Sequence, residues 1–221
     1  MNNVSKRATS QLRKSDEQAA SVITKWLETH FYTKENGITD YSYINDVTMQ
    51  VKGIDTVFCY NDGKVIREIL CDEKAAVQYV NKFLQTFAFE LSFIDRSNNI
   101  HDGWLLDETK TNNAFLLVWV DKTVSGVESV KQLTDHNQLK SVTAALVMKK
   151  DILNYLYSLG WTAERLRTKT ERMRRNPTEY QGNIYTNGCK FCFSKQLVEK
   201  PVNLLIRRKL LLQLAIKVVT R

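Results

Sequence analysis

Proline and glycine are scarce, with two and eight among 221 residues. A chain this poor in both has no flexible linker, so its two halves are expected to pack together. No apolar run approaches the ~20 residues that span a bilayer. Residues 1–14 are polar and basic and lack the apolar segment of a secretory signal, so a cytoplasmic protein that does not enter a membrane is expected. Histidine is rarer still: His30, His101 and His136 are the only three. There is no Gly-x-Ser-x-Gly, and no cysteine stands beside a base, which disfavours serine and cysteine hydrolase chemistry. A glycine-rich phosphate loop is also missing, which argues against a nucleotide-driven motor.

The four cysteines are Cys59, Cys71, Cys189 and Cys192. Cys189 and Cys192 form a C-x-x-C, but no second such pair or pair of histidines completes a zinc set. Cys59 and Cys71 fall on expected strands and read as small buried hydrophobes. Neither zinc nor a disulfide is expected.

What is present is a basic surplus. The net charge is +8 with a pI near 9.3, compatible with a phosphate-rich partner whose counterions are released on binding. Many soluble proteins are equally basic, so charge gains meaning only beside a catalytic pattern. The hydrophobic fraction of 43% is enough to bury a sizeable core.

Periodicity gives the organisation. Residues 1–14 read as a disordered basic lead-in. Ser15-Asp16-Glu17-Gln18 is a capping-box pattern, and the helix it opens carries Ala19, Val22, Ile23, Trp26 and Leu27 on one stripe. Residues 43–60 read as one short and one longer strand. Asn61-Asp62-Gly63-Lys64 is a hairpin signal, and 65–74 is the return strand. A helix over 75–84 and strands over 86–94, 103–106 and 114–120 follow. The second half predicts a strand over 141–148, helices over 150–159 and from Thr162 to Arg175, a strand near 189–193 and a last helix over 210–219. A polar loop with Tyr180, Asn183, Tyr185 and Asn187 could reach nucleic acid.

The informative stretch is Gly53-Ile54-Asp55, the hairpin, then Cys71-Asp72-Glu73-Lys74. Successive strand residues alternate faces, so Asp72 and Lys74 share one and Glu73 takes the other. With an Asp62-Gly63 turn, Asp55 lies opposite Leu70 and diagonal to Asp72, roughly 7–8 Å away and still within bridging reach of a metal. Two converging carboxylates make a hard oxygen site suited to Mg²⁺ or Mn²⁺. A lysine on the same face can orient or deprotonate the attacking water and offset charge on the phosphorane. The same Asp–Lys spacing also occurs as a solvated surface pair.

These residues, on the two arms of a hairpin behind a capped helix and ahead of another, resemble the PD-(D/E)XK nuclease superfamily. The likeness covers residues 15–94. Gln78-Tyr79 and Thr86-Phe87-Ala88-Phe89-Glu90-Leu91 look like a bacterial branch of it. No proline precedes Asp55, a position that is loose in the family. The resemblance implies an α/β (α+β) fold with a restriction-endonuclease-like core, a mixed sheet flanked by helices over 15–121, with a basic α/β extension over 122–221 packed on it. It also implies Mg²⁺-dependent endonuclease hydrolysis of DNA, with RNA as a second candidate substrate. Asp55 and Asp72 would bind the metal, and Lys74 would serve catalysis. Several members add an acidic residue from the first helix; Glu17 is the candidate here, with Glu28 behind it. Gln50, with Asp46 beside it, Glu73 and Glu90 are candidates for supporting or substrate contacts. Glu90 sits in an apolar strand where a carboxylate needs a partner.

Arg165, Arg167, Lys169, Arg172, Arg174 and Arg175 crowd one short helix, and Arg207 and Arg208 open the last one. They read as phosphate contacts that position DNA without reading sequence, or as a solvated helix balanced by Glu164, Glu171 and Glu179. The extension could also supply a homodimer surface. The alternative to a nuclease is a non-catalytic nucleic-acid-binding protein on the same fold.

Overall fold

The computed structural model describes residues 2–176 and 188–221, with side chains from Ser15 onward. Glu179 and the expected loop with Tyr180, Asn183, Tyr185 and Asn187 lie outside the described residues. In chain order the elements are α1 (Asn2–His30), β1 (Ile38–Tyr43), α2 (Val47–Val51), β2 (Thr56–Asn61), β3 (Ile66–Ala75), β4 (Thr86–Ile94), β5 (Ile100–Asp102), β6 (Ala114–Thr123), β7 (Leu139–Met148), α3 (Lys149–Ser158), α4 (Ala163–Arg175), β8 (Cys189–Phe193), β9 (Val202–Arg207), α5 (Arg208–Leu214) and β10 (Ala215–Thr220). No helix among the described residues is long and apolar enough to cross a membrane.

A large sheet takes the strand order β1-β2-β3-β6-β7-β10 and a small one β5-β4-β9-β8. The large sheet is mixed: β3 and β6 run parallel, every other neighbour antiparallel. Its central strands are apolar on both faces because both are covered. Leu116, Val118 and Val120 of β6 pack under α1 with Val22, Trp26 and Leu27. The alternate residues Phe115, Leu117 and Trp119 meet Phe89 of β4, Leu204 and Ile206 of β9, and Ile152 and Leu211 of α3 and α5. The result is a mixed α/β protein whose mixed sheet is flanked by α1 on one face and by the small sheet and two helices on the other.

Several expectations change. Helix α1 is continuous from Asn2, so residues 2–14 are helical, and Ser15 lies inside a helix rather than capping one. Ala75 ends β3 and residues 76–84 form turns, not the helix expected over 75–84: the Asn81 side chain bonds Thr123 and the Val127 carbonyl, and Ala76 donates to the Val118 carbonyl. These bonds take the segment away from helical pairing. The chain crosses from β3 to β6 through β4 and β5, so the sixth element of the expected α-β-β-β-α-β order is reached through a second sheet. Residues 103–106 turn back on β4, with Gly103 donating to the Leu91 carbonyl, and the strand is β5 just before them. The last helix stops at Leu214. Ile216, Val218, Val219 and Thr220 then form β10 against β7, as β-branched residues on a pleated surface do. Residues 122–221 supply β7 and β10 to the large sheet and β8 and β9 to the small one; they are woven into both sheets and not laid on a finished core.

Candidate functional site

The β2–β3 hairpin fixes the site. Asn61 pairs with Ile66 and Thr56 with Cys71, so the loop is residues 62–65 and not Asp62-Gly63 alone. Asp62 Oδ1 accepts the Lys64 and Val65 amides and Asn61 Oδ1 the Gly63 amide, closing a wider turn. The register moves by two residues, which keeps every side chain on its expected face. Asp55, one step beyond Thr56, now stands beside Asp72 and not Leu70. Its amide donates to the Cys71 carbonyl at 2.8 Å, and its carboxylate accepts the Glu73 amide at 2.8 Å. The register puts Asp55 directly across from Asp72 and not on its diagonal, near enough for its charge to bear on the Asp72 carboxyl.

Asp72 is 3% exposed and forms an ion pair with Lys74, whose ammonium lies 5.6 Å from the Trp104 ring centre. Burial pushes the Asp72 carboxyl up to about 6; the Lys74 charge opposes this and the neighbouring Asp55 adds to it. Glu73 faces the other way, toward α1, where it accepts from the Tyr32 hydroxyl. Burial first, and then Asp55 and Asp72, push it up to about 7. Although Glu73 and Lys74 take opposite faces, both open with Asp55 onto one cavity of about 600 Å³ between α1 and the sheet.

On the far side of Asp72 lies a cradle the sequence reading missed. Gly53 has φ +75°, and a Cβ placed on it would stand 3.2 Å from Lys110 Cδ, 3.4 Å from Asn112 Oδ1 and 3.7 Å from Asp72 Oδ2. Asn112 is 4% exposed, and its Oδ1 is buried with no hydrogen-bond partner, while its Nδ2 donates to the Ala114 carbonyl. A buried acceptor left unpaired carries a desolvation cost of ~1–3 kcal/mol unless something fills it. The adjacent Asn113 bonds the Leu70 amide and the Glu68 carbonyl and so pins this turn to β3. Lys149, whose ammonium donates to the Lys110 carbonyl at 3.2 Å, adds positive charge near Asp72, and burial lowers its pKa. The signal was topological: parallel pairing of Cys71 with Ala114 brings Asn112 and Asn113 beside the Asp72 strand, and antiparallel pairing of Ala114 with Met148 brings Lys149 up behind them.

Among the described residues no three His, Cys, Asp or Glu side chains converge as a metal set. Two carboxylates and an orphaned amide oxygen beside a glycine that leaves room are nevertheless the hard oxygen donors that Mg²⁺ accepts. By donor chemistry the residues fit the cation.

The other candidates separate. Gln50 lines the cavity while donating to the Ile44 carbonyl, and Asp46 caps α2 through the Met49 amide. From α1 it is Asp16, Ala19, Ala20, Ile23 and Thr24 that line the cavity, a single helical stripe. Glu17 lies off that stripe, Glu28 is exposed and paired with Lys25, and the α1 carboxylate at the cavity is Asp16, itself ion-paired with Lys131. Glu90 is on β4 in the small sheet, apart from the acidic pair. Burial raises it, Glu199 adds to that, and Lys74 and Arg174 oppose it.

Of the basic residues, Arg167 is held by Asp102 and Glu108, and Arg174 by Ser92 and the Lys200 carbonyl. Arg165 reaches the Gly160 carbonyl, Arg175 pairs with Glu171, and Lys169 sits 5.7 Å from the Phe191 ring centre. Arg165, Arg172, Arg175 and Arg207 are exposed. Arg208 is not: it is buried and bound to Asp121 and Thr143, so its expected role as a phosphate contact does not hold. Cys189 and Cys192, three apart on β8, point to opposite faces.

No family model, curated protein or solved structure matches this chain.

Proposed function

We propose that the protein is a Mg²⁺-dependent nuclease of the PD-(D/E)XK type that hydrolyses phosphodiester bonds in DNA. The observation that supports this most is the meeting of Asp55, Asp72 and Lys74 at one end of the hairpin, beside an unpaired Asn112 oxygen. A bound Mg²⁺ supplies positive charge that stabilises the attacking and leaving oxygens of the displacement. Asp55 and Asp72 would hold it, with Asn112 Oδ1 as a further donor. Lys74 now serves as the counterion of Asp72. If the cation took up the Asp72 charge, the Lys74 ammonium would be free to meet the phosphate and orient the attacking water. Lys110 and Lys149 add positive charge on the same side, where the substrate's own charge must be balanced.

The test is incubation of DNA with Mg²⁺ or Mn²⁺. Lys74→Ala is expected to lower hydrolysis by about 10²-fold or more, the scale of losing one preorganised electrostatic contact, while metal affinity stays within a few-fold. Asn112→Ala is expected to do the reverse in binding: Mn²⁺ affinity by calorimetric titration falls about tenfold, about 1.4 kcal/mol. Unchanged Mn²⁺ binding removes Asn112 from the donor set. Hydrolysis that survives both Asp72→Asn and Lys74→Ala sinks the site. The second reading, a non-catalytic nucleic-acid-binding protein, is favoured by the closed Asp72–Lys74 pair, in which each charge already has a partner. DNA binding without cleavage under either metal selects it.

A further inference from the structure

The carboxylate pair is recessed. Asp72 is 3% exposed, and Asp55 and Lys74 open onto the cavity between α1 and the large sheet. Its volume of about 600 Å³ falls within the ~300–1,000 Å³ typical of sites that enclose one small molecule. A stacked base pair in a continuous duplex cannot enter such a space; a single nucleotide turned out of its stack can.

The walls have the chemistry such a nucleotide needs. The exposed Ala20 of α1, backed by the buried Ala19 and Ile23, gives an apolar side between Asp16 and Thr24, and Tyr43 at the end of β1 lines the cavity with Glu73. Asn45 and Gln50 present amide groups at the same cavity, suited to the donor and acceptor edge of a base. Enzymes that act within a strand commonly take a nucleotide out of the stack and read it between aromatic and apolar side chains. Stacking of this kind contributes ~1–3 kcal/mol per base and tolerates every base.

We propose that this cavity receives one unpaired nucleotide next to the phosphodiester to be cut, so that the substrate class is single-stranded or frayed DNA and not intact duplex. This rests on the nuclease reading for the cut itself, but the binding it predicts does not need catalysis.

The test uses the full chain in the Asp72→Asn background, so that nothing is cut. A single-stranded oligonucleotide carrying 2-aminopurine, and the same strand in a blunt-ended duplex, are titrated against it. The expected result is at least tenfold tighter binding of the single strand, with a change in 2-aminopurine fluorescence. Ala20→Leu, added to this background, is expected to weaken single-strand binding about tenfold. Ala20 is exposed on α1 and leucine is a strong helix former, so thermal unfolding of the two proteins should coincide. Equal affinity for strand and duplex, or binding that ignores Ala20→Leu, overturns the inference. Cleavage of blunt duplex by the unsubstituted protein as fast as of single strand overturns it too, while leaving the nuclease reading intact. The reverse pattern, a single-strand preference lost in Ala20→Leu with no hydrolysis under Mg²⁺ or Mn²⁺, supports the cavity and sinks the nuclease.

Discussion

Asp72→Asn is expected to abolish hydrolysis, by about 10³-fold or more, and to make the protein more stable at neutral pH. The first half follows from removing one of two carboxylates that would hold the cation; each tenfold in rate is about 1.4 kcal/mol. The second half follows from burial. Asp72 is pushed up to about 6, whereas in the unfolded chain it titrates near ~4. Between these values the folded protein holds a proton that the unfolded chain has released, so stability falls as pH rises through that window and is flat above it. The gap corresponds to about 3 kcal/mol. Asparagine never ionises, so the variant escapes this loss. It leaves Lys74 without its partner, but the Lys74 side chain is 33% exposed and can return to water. Glu73, pushed up to about 7, gives a slope of the same sign that the variant keeps. Urea unfolding at pH 5 and pH 8 measures both. A variant equally destabilised at the two pH values would mean that the Lys74 pair holds the fold, and a rate within tenfold of the unsubstituted protein would remove Asp72 from the chemistry.

That Asp72 and Lys74 share a face was legible because strand alternation is local and tolerates no exception within a regular strand. Asp55 was placed two residues off, because the turn chemistry of Asn61 and Asp62 closes a longer loop than Asp62-Gly63 alone suggests. An error of two preserves facing, so the site survived it. Asn112 and Lys149 were not legible: Asn112 reaches Asp72 only through the parallel pairing of β3 with β6, some forty positions along the chain, and Lys149 only through the further pairing of β6 with β7. The α1 stripe was read from its apolar residues, but its start was not. With the helix continuous from Asn2, the acidic residue facing the cavity is Asp16, one position away from the expected Glu17. The helix expected over 75–84 failed for a similar reason: Asn81 finds its partners on the far side of β6, and no local propensity shows that. The strand β10 hid inside an apolar run that also fits a helix, and only β7 beside it decides the matter.

Arg208→Ala is expected to cost about 3–5 kcal/mol of stability, the range for leaving a buried charge without its partner. The guanidinium bonds Asp121 at 2.5 and 2.7 Å and Thr143 Oγ1 at 2.6 Å. It lies between Phe83 and Trp119, with ring centres at 4.8 and 5.1 Å. The Asp121 side chain is 9% exposed, so it cannot recover its hydration when the arginine goes. The pair ties the start of α5 to β6 and β7, and therefore joins the last part of the chain to the centre of the large sheet. Urea unfolding gives the cost directly, and the midpoint of thermal unfolding should drop by roughly 10 °C for a chain of this size. Replacing both partners with apolar residues, Arg208→Met with Asp121→Leu, is expected to restore most of the loss, because matched burial of apolar groups is often as stable as a buried ion pair. The arginine was a reasonable DNA contact when read only as part of a basic cluster. If Arg208→Ala weakened DNA binding while leaving unfolding unchanged, that first reading would stand and the buried pair would have no structural weight; the two free energies, one of folding and one of binding, assign the residue to one role or the other.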